Sequence, residues 1–285
     1  MKKNAFFRKN AFSRKKIILT GTLLGILLVI GIGFLVWPKR SIISEAITLT
    51  PSSTPYPKVD KFEVPILMYH YIRNAESEDQ LGKNLSVSPE NFAAQIKYLK
   101  DDNYASVKLA DLVDPDRKAI SRIYYEKKKP IVITFDDGYD DAYTQAFPVL
   151  KKDGFIGSFF IIRDYVGREG RLNQSQIDEM AQAGMEFGSH TLSHPDLTTI
   201  SLDDARRQIF DSKGEWEVFC YPAGKFNDDV VNLVREVGYV AAVTTKIGIA
   251  RENSNLLALP RVRVENVSPQ ELMDKISYAY EYGSK

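Results

Sequence analysis

Sulfur and imidazole are scarce in this chain. Cys220 is the single cysteine among 285 residues, so no internal disulfide can form and any extracytoplasmic part must stand on its apolar core. No cysteine lies near the N-terminal apolar segment, which excludes a lipid-modified cysteine there. An excess of one charge is also missing: 38 Lys and Arg meet 37 Asp and Glu, so nothing global argues for a nucleic-acid partner. Only three histidines occur, His70, His190 and His194. Apolar sequence is plentiful, 44% of residues against 26% charged, enough to bury a full core.

Acidic residues are absent before Glu45. Within that basic stretch, "IILTGTLLGILLVIGIGFLVW" (17–37) carries no charge and as a helix spans roughly 30 Å, a bilayer's hydrocarbon thickness. A cleaved signal peptide has a shorter apolar region and ends in small residues; this one ends in "VWPKR". Lys2, Lys3, Arg8, Lys9, Arg14, Lys15 and Lys16 precede the segment, against Lys39 and Arg40 just after it. The expectation is a retained single-pass anchor at 17–37, with a basic cytoplasmic N-terminus at 1–16 and the rest of the chain outside the cell membrane. Residues 38–60, rich in Ser, Thr and Pro, read as an extended linker to an extracytoplasmic domain at 61–285.

From Phe62 onward apolar runs alternate with amphipathic stretches. "VPILMYH" (64–70), "PIVITF" (130–135), "GFIGSFFII" (154–162), "MEFGSH" (185–190), "EVFCYP" (217–222) and "YVAAVTT" (239–245) are strand-like. Between them, Ser88 and Pro89 open a helix with Phe92, Ile96 and Leu99 on one face, and Asn173 caps another that Gly184 stops. Ser201 opens a helix with Leu202, Ala205 and Ile209 inward, and Asn227 caps the next. Strand then helix, six or seven times, predicts an α/β fold with a mainly parallel sheet closed as a barrel, function gathering at the carboxyl ends of its strands.

All three histidines fall at such ends, as do the adjacent carboxylates Asp136 and Asp137. In "SHTLSHPDL" (189–197), Pro195 biases His194 away from helical geometry, so the two imidazoles sit on a strand end and loop. One carboxylate and two imidazoles around a cation, with a fourth position open to water, form a catalytic zinc arrangement. Two surface histidines in a loop are the plainer reading of that pair taken by itself. Asp140 and Asp141 stand where side chains cap a following helix, which leaves Asp136 and Asp137 for other work.

"TFDDG" (134–138) and "SHTLSH" (189–194) resemble the two signature motifs of the polysaccharide deacetylases, metal-dependent carbohydrate esterases that remove acetyl groups from N-acetylglucosamine polymers. "FCYPAGKFND" (219–228) resembles their third motif, and "VPILMYHYI" (64–72) the opening of the branch acting on poly-N-acetylglucosamine. The likeness runs roughly from Phe62 to Val267 and implies a distorted seven-stranded (β/α) barrel. It implies Asp137, His190 and His194 as metal ligands and Asp136 as the base acting on metal-bound water. In this branch the early histidine, here His70, stands in for a late one as the acid. The oxyanion donor would be the N–H of Ala223, with Tyr221 and Pro222 beside it at the substrate. The arginine that steadies the base in many members is replaced by Cys220, leaving Arg261 or Arg263 of "LPRVRV" to reach in, or to be exposed charges on an edge. Trp216 is either a sugar platform or a packed core residue. The implied cofactor is one divalent ion, Zn2+ fitting the donors best and Co2+ or Ni2+ also suiting them. The substrate could be poly-N-acetylglucosamine, peptidoglycan or a chitin-like polymer. The alternatives are an O-deacetylase of a polysaccharide such as xylan and a glycan-binding module that has lost turnover. No protein partner is implied.

Overall fold

The computed structural model describes residues 56–75 and 80–283. Seven parallel strands form the centre: β1 (Ile66–Tyr69), β2 (Lys129–Phe135), β3 (Ser158–Ile161), β4 (Glu186–Ser189), β5 (Val218–Cys220), β6 (Ala241–Ile247) and β7 (Leu259–Arg263). They neighbour one another in chain order. The pairings Leu67 with Ile133, Thr134 with Ser158, Ile161 with Ser189, Ser189 with Phe219, Cys220 with Val243 and Val243 with Leu259 lead round the sheet. Val262 then pairs with Leu67 and closes it. The expected parallel α/β barrel is present. The strand at Tyr104–Ser106 extends the sheet outside the ring, on β2.

Helices α1 (Pro89–Asp101), α2 (Lys118–Tyr125), α3 (Phe147–Asp153), α4 (Gln174–Gln182), α5 (Leu202–Phe210), α6 (Asp228–Val237) and α7 (Pro269–Tyr282) complete the barrel. Several begin where the sequence says they must. Ser88, Asn173, Ser201 and Asn227 each accept a backbone N–H through the side chain, and Ser268 does the same for α7. Phe92, Ile96 and Leu99 of α1 are fully buried. Leu202 is not inward as expected but 53% exposed, because α5 seats itself through Ala205 and Ile209 and its first turn overhangs. The run at 154–162 becomes strand only from Ser158, since Gly154 ends α3 in a left-handed conformation. Asp141 does not cap the helical turn after it: that residue is already helical and its side chain makes no capping bond.

Alternation along the strands sorts side chains into two layers. Ile131, Ile133 and Phe135 of β2 face outward to the helices, whereas Val132 joins Ile66, Phe160, Val218, Val243 and Leu259 inside the barrel. That interior is closed at the strands' N-terminal end by Ile120 and Ile123 of α2 together with Phe62, Leu109 and Leu112. Burying each such side chain stabilises the fold by roughly 1.5–3 kcal/mol. Gly188 of β4 faces inward too, where a Cβ would come within 2.7 Å of Phe160 and Val218. The base is therefore sealed and packed, leaving the carboxyl ends as the open face. No helix among the described residues is long and apolar enough to cross a membrane, and the anchor expected at 17–37 lies outside them.

Candidate active site

The same alternation that buries Val132 carries Thr134 and Asp136 inward and turns Asp137 to the rim. At the end of β1 the rule applied to Ile66 and Met68 brings His70 to the same mouth, and on β4 Gly188 is followed inward by His190. Asp137 Oδ1 lies 3.4 Å from His190 Nε2 and 3.7 Å from His194 Nε2. One donor atom from each of the three falls within 4.8 Å of the others. Ligands about 2.0–2.2 Å from a tetrahedral zinc ion stand roughly 3.3–3.6 Å apart, so the two distances from Asp137 to the imidazoles lie close to the edges of such a polyhedron. Exposure rises from 2% at His190 through 13% at Asp137 to 34% at His194, which leaves the trio open on the His194 side.

His190 Nδ1 is 2.7 Å from the Cys220 carbonyl oxygen; that acceptor takes the Nδ1 proton and leaves the Nε2 lone pair for Asp137's side of the site. Burial, the largest influence on His190, pulls its pKa down, but Cys220 and Asp137 outweigh it and hold the imidazole well above its usual value. Burial pushes Asp137 up, and His190, His70 and His194 together bring it well below the ordinary carboxylate range. Asp137 (φ 74), Thr191 (φ 68), His194 (φ 62) and Ala223 (φ 52) account for four of the seven described non-glycine residues with positive φ. Strain of this kind, about 1–3 kcal/mol per residue, collects at functional sites and persists only where the surroundings hold it. Here Thr191 Oγ1 accepts from the His194 N–H at 2.9 Å, and Ser189 Oγ from the Thr191 N–H.

Asp136 is placed differently. Both its oxygens accept from Arg261, Nη1 to Oδ1 and Nη2 to Oδ2, each at 2.7 Å. Arg261 is 1% exposed, donates further to Thr134 Oγ1 and to the Thr244 carbonyl, and sets Nη2 against Cys220 Sγ. Burial raises the pKa of Asp136, and the guanidinium overcomes it, holding the carboxyl at about 2. His70 Nε2 stands 3.7 Å from Asp136 Oδ2; burial drags its pKa below the usual imidazole value, against the pull of Asp136 and Asp137. Asp136, His190 and Cys220 also cluster within metal-binding distance. That set makes a poor site, because both Asp136 oxygens are taken by Arg261 and burial holds Cys220 as a neutral thiol.

The structure thus brings His70, Asp136, Asp137, His190, His194 and Arg261 together. Arg263, half-buried at the end of β7, acts on His70 only through its charge. Ala223 and Pro222 occupy a tight turn after β5. Two expected contributors point elsewhere. Tyr221 is fully buried outside the barrel, its hydroxyl donating to the Leu257 carbonyl at 2.8 Å, because strand alternation turns it opposite to Cys220. Trp216 packs near Phe187 under the Arg163 guanidinium, so no ring face is presented to the site. Thr134, Thr244 and the Cys220 carbonyl were missed in the sequence. The available signal was an arginine at an inward position of a buried strand, which must have partners.

A family model described as polysaccharide deacetylase matches residues 124–242. YxkH of Bacillus subtilis (strain 168), whose name classes it with the polysaccharide deacetylases, is 34% identical over 214 residues, 71% of this chain and 71% of its own length. The poly-beta-1,6-N-acetyl-D-glucosamine N-deacetylase of Staphylococcus aureus (strain MRSA252) is 26% identical over 245 residues, covering 73% of this chain and 81% of that one. Among solved structures, the Streptococcus pyogenes deacetylase PplD in complex with acetate superposes with a TM-score of 0.65 at 32% identity, over 75% of this chain and 97% of that one. A closed parallel barrel, two motifs meeting at its mouth and relatives that span most of the domain lead to one assignment: the chain belongs to the polysaccharide deacetylase family.

Proposed function

We propose that this chain removes N-acetyl groups from an N-acetylglucosamine polymer on the outer side of the membrane, with one divalent cation, zinc in the first instance, held by Asp137, His190 and His194. The convergence of one carboxylate oxygen and two imidazole Nε2 atoms, at 3.4 and 3.7 Å, carries this reading. Two imidazoles and a carboxylate open on one side are the donor set of catalytic zinc, and Co2+ or Ni2+ would suit it also. When bound, such a cation acidifies water and polarises an acyl oxygen.

The remaining chemistry belongs to the protein's own groups. Asp136, kept ionised and aimed by Arg261, takes a proton from the water that attacks the acetyl carbon. The Ala223 N–H is the donor for the negative charge that develops on the acetyl oxygen. As the carbon–nitrogen bond breaks, protonated His70 gives its proton to the departing amine; burial lowers its pKa, so this form is the scarcer one at neutral pH and the readier donor. The proton held by Asp136 returns to His70 across their 3.7 Å separation, so acetic acid and the free amine leave, to ionise in solution, with both groups restored.

The sugar preference rests on the name of the S. aureus relative and the "MYH" opening, and the outer location on the charge asymmetry around residues 17–37. The test is acetate release by the purified full chain from poly-N-acetylglucosamine, peptidoglycan, chitin oligomers and acetylated xylan, with and without chelator. Chelator-sensitive release from the N-acetylated polymers is expected. Release from xylan alone would make it an O-deacetylase, and chelator-insensitive release would remove the cation.

A further inference from the structure

Asp137 reaches the metal trio from an unfavourable backbone. It and Gly138 are consecutive left-handed residues, φ 74 and φ 68, at the end of a regular strand. For a non-glycine residue this costs energy that neighbouring contacts must offset. The carbonyls of this pair are both received by one neighbouring segment. Arg171 Nη1 donates to the Asp137 carbonyl at 2.7 Å, and the Leu172 N–H donates to the Gly138 carbonyl at 2.9 Å. The Asp140 N–H returns a bond to the Gly170 carbonyl, and Tyr139 and Arg171 form an antiparallel bridge. Residues 170–172 thus strap the turn that carries the motif.

The guanidinium is itself held in place. Its carbon lies 4.0 Å from the Tyr139 ring centroid and 5.1 Å from that of Tyr165. Tyr139 in turn stacks on Tyr71 with centroids 3.5 Å apart, and Arg73 covers the far face of Tyr71 at 3.6 Å. The pile Arg73, Tyr71, Tyr139, Arg171 therefore ties the residue following His70 to the turn that begins at Asp137. Each cation–π contact is an attraction between a guanidinium and a ring face that holds the pile in register. A charged donor fixed this way makes a stronger hydrogen bond than a backbone N–H would, which offsets the strain of the left-handed Asp137.

We propose that Arg171 is a positioning residue for the metal site: by gripping the Asp137 carbonyl it keeps that peptide left-handed and so aims the carboxylate at His190 and His194. The proposal rests on the reading of Asp137, His190 and His194 as ligands. Arg171 holds the Asp137 backbone rather than the trio's donor atoms, so its effect passes through one peptide plane. Without its donor, the Asp137 peptide relaxes toward ordinary strand geometry and the carboxylate swings off the polyhedron. Outer groups that orient ligands in this way typically change metal affinity about 10- to 100-fold.

The test uses the full chain, Arg171→Met and Arg171→Lys, with zinc affinity read by chelator competition and melting followed in the metal-free form. Methionine keeps an apolar stem between the two tyrosines but gives up the donor; lysine keeps a donor without the planar fork. Expected are a zinc dissociation constant about 10- to 100-fold higher for R171M, an intermediate value for R171K, metal-free melting close to wild type, and kcat restored by excess zinc. If R171M fails to fold, Arg171→Gln, whose amide stops short of the Asp137 carbonyl, carries the same comparison. Zinc binding within twofold of wild type in a folded R171M or R171Q overturns the proposal, as does a lost rate that excess zinc leaves unrestored. A wild-type chain that binds no zinc removes the ligand assignment itself, which separates that failure from a failure of Arg171.

Discussion

Asp136 and Arg261 make a pair that neither could leave without cost. A guanidinium 1% exposed to solvent is tolerable only with its charge answered, and removing one partner of such a pair costs about 3–5 kcal/mol. The bond also commits Asp136 to a single orientation, with both oxygens bound by one fork and His70 beside it. Asp137, one residue on, has no arginine on its carboxylate and faces the imidazoles. In the proposed mechanism these neighbouring identical side chains thereby take separate work, base and ligand. Asp136→Asn is expected to keep zinc affinity within a few-fold of wild type while kcat falls about 10²- to 10⁴-fold, the usual contribution of a general base. Chelator titration and acetate release measure the two halves. Loss of zinc from that variant would exchange the roles of the two aspartates.

At the scale of the element, most of what places these groups is period two along a strand, and that much was legible in the sequence. "PIVITF" read as a buried strand, and its alternation sends Asp136 inward and Asp137 to the rim; caps at Ser88, Asn173, Ser201 and Asn227 were legible because they depend on three or four adjacent residues. Arg261 was left open between two readings, because its partner lies 125 positions away and meets it only through closure of β7 on β1. Tyr221 went wrong for the opposite reason: a motif names neighbours in the chain without saying which face each side chain takes. Trp216 depended on Arg163 and Phe187, which no local pattern supplies. Gly188 shows how tightly the elements interlock. A methyl group there meets Phe160 and Val218 at 2.7 Å, and β4 also delivers His190. Gly188→Ala is expected to destabilise the fold by about 1–3 kcal/mol, with His190 displaced and zinc affinity reduced. Chemical denaturation and zinc titration test it; a variant of wild-type stability would mean that the interior has slack.

Across the whole molecule the barrel has a closed end and a working end. Phe62 and α2 seal the base, and the chain arriving from residue 56 is fastened there: the Val59 N–H donates to Ser121 Oγ, and Arg117 Nη1 donates to the carbonyls of Val59 and Asp60. Every group assigned to the chemistry lies at the opposite, carboxyl end of the strands. The segment arriving from residue 56 is therefore held away from that end, and the groups proposed for the chemistry all belong to the stretch from His70 to Arg261. Upstream, the Ser, Thr and Pro of 38–55 make the stretch where an external protease is expected to cut. Adding protease to intact cells should then release a soluble fragment beginning near residue 56 whose kcat/KM on a soluble oligosaccharide is within about twofold of the full chain. Two results would count against this. Protection in intact cells but not in opened ones would place the domain inside. A released fragment that stays folded and loses its rate would mean that residues before 56 contribute to the site, and the separation of a sealed base from an open catalytic end would no longer describe how the molecule works.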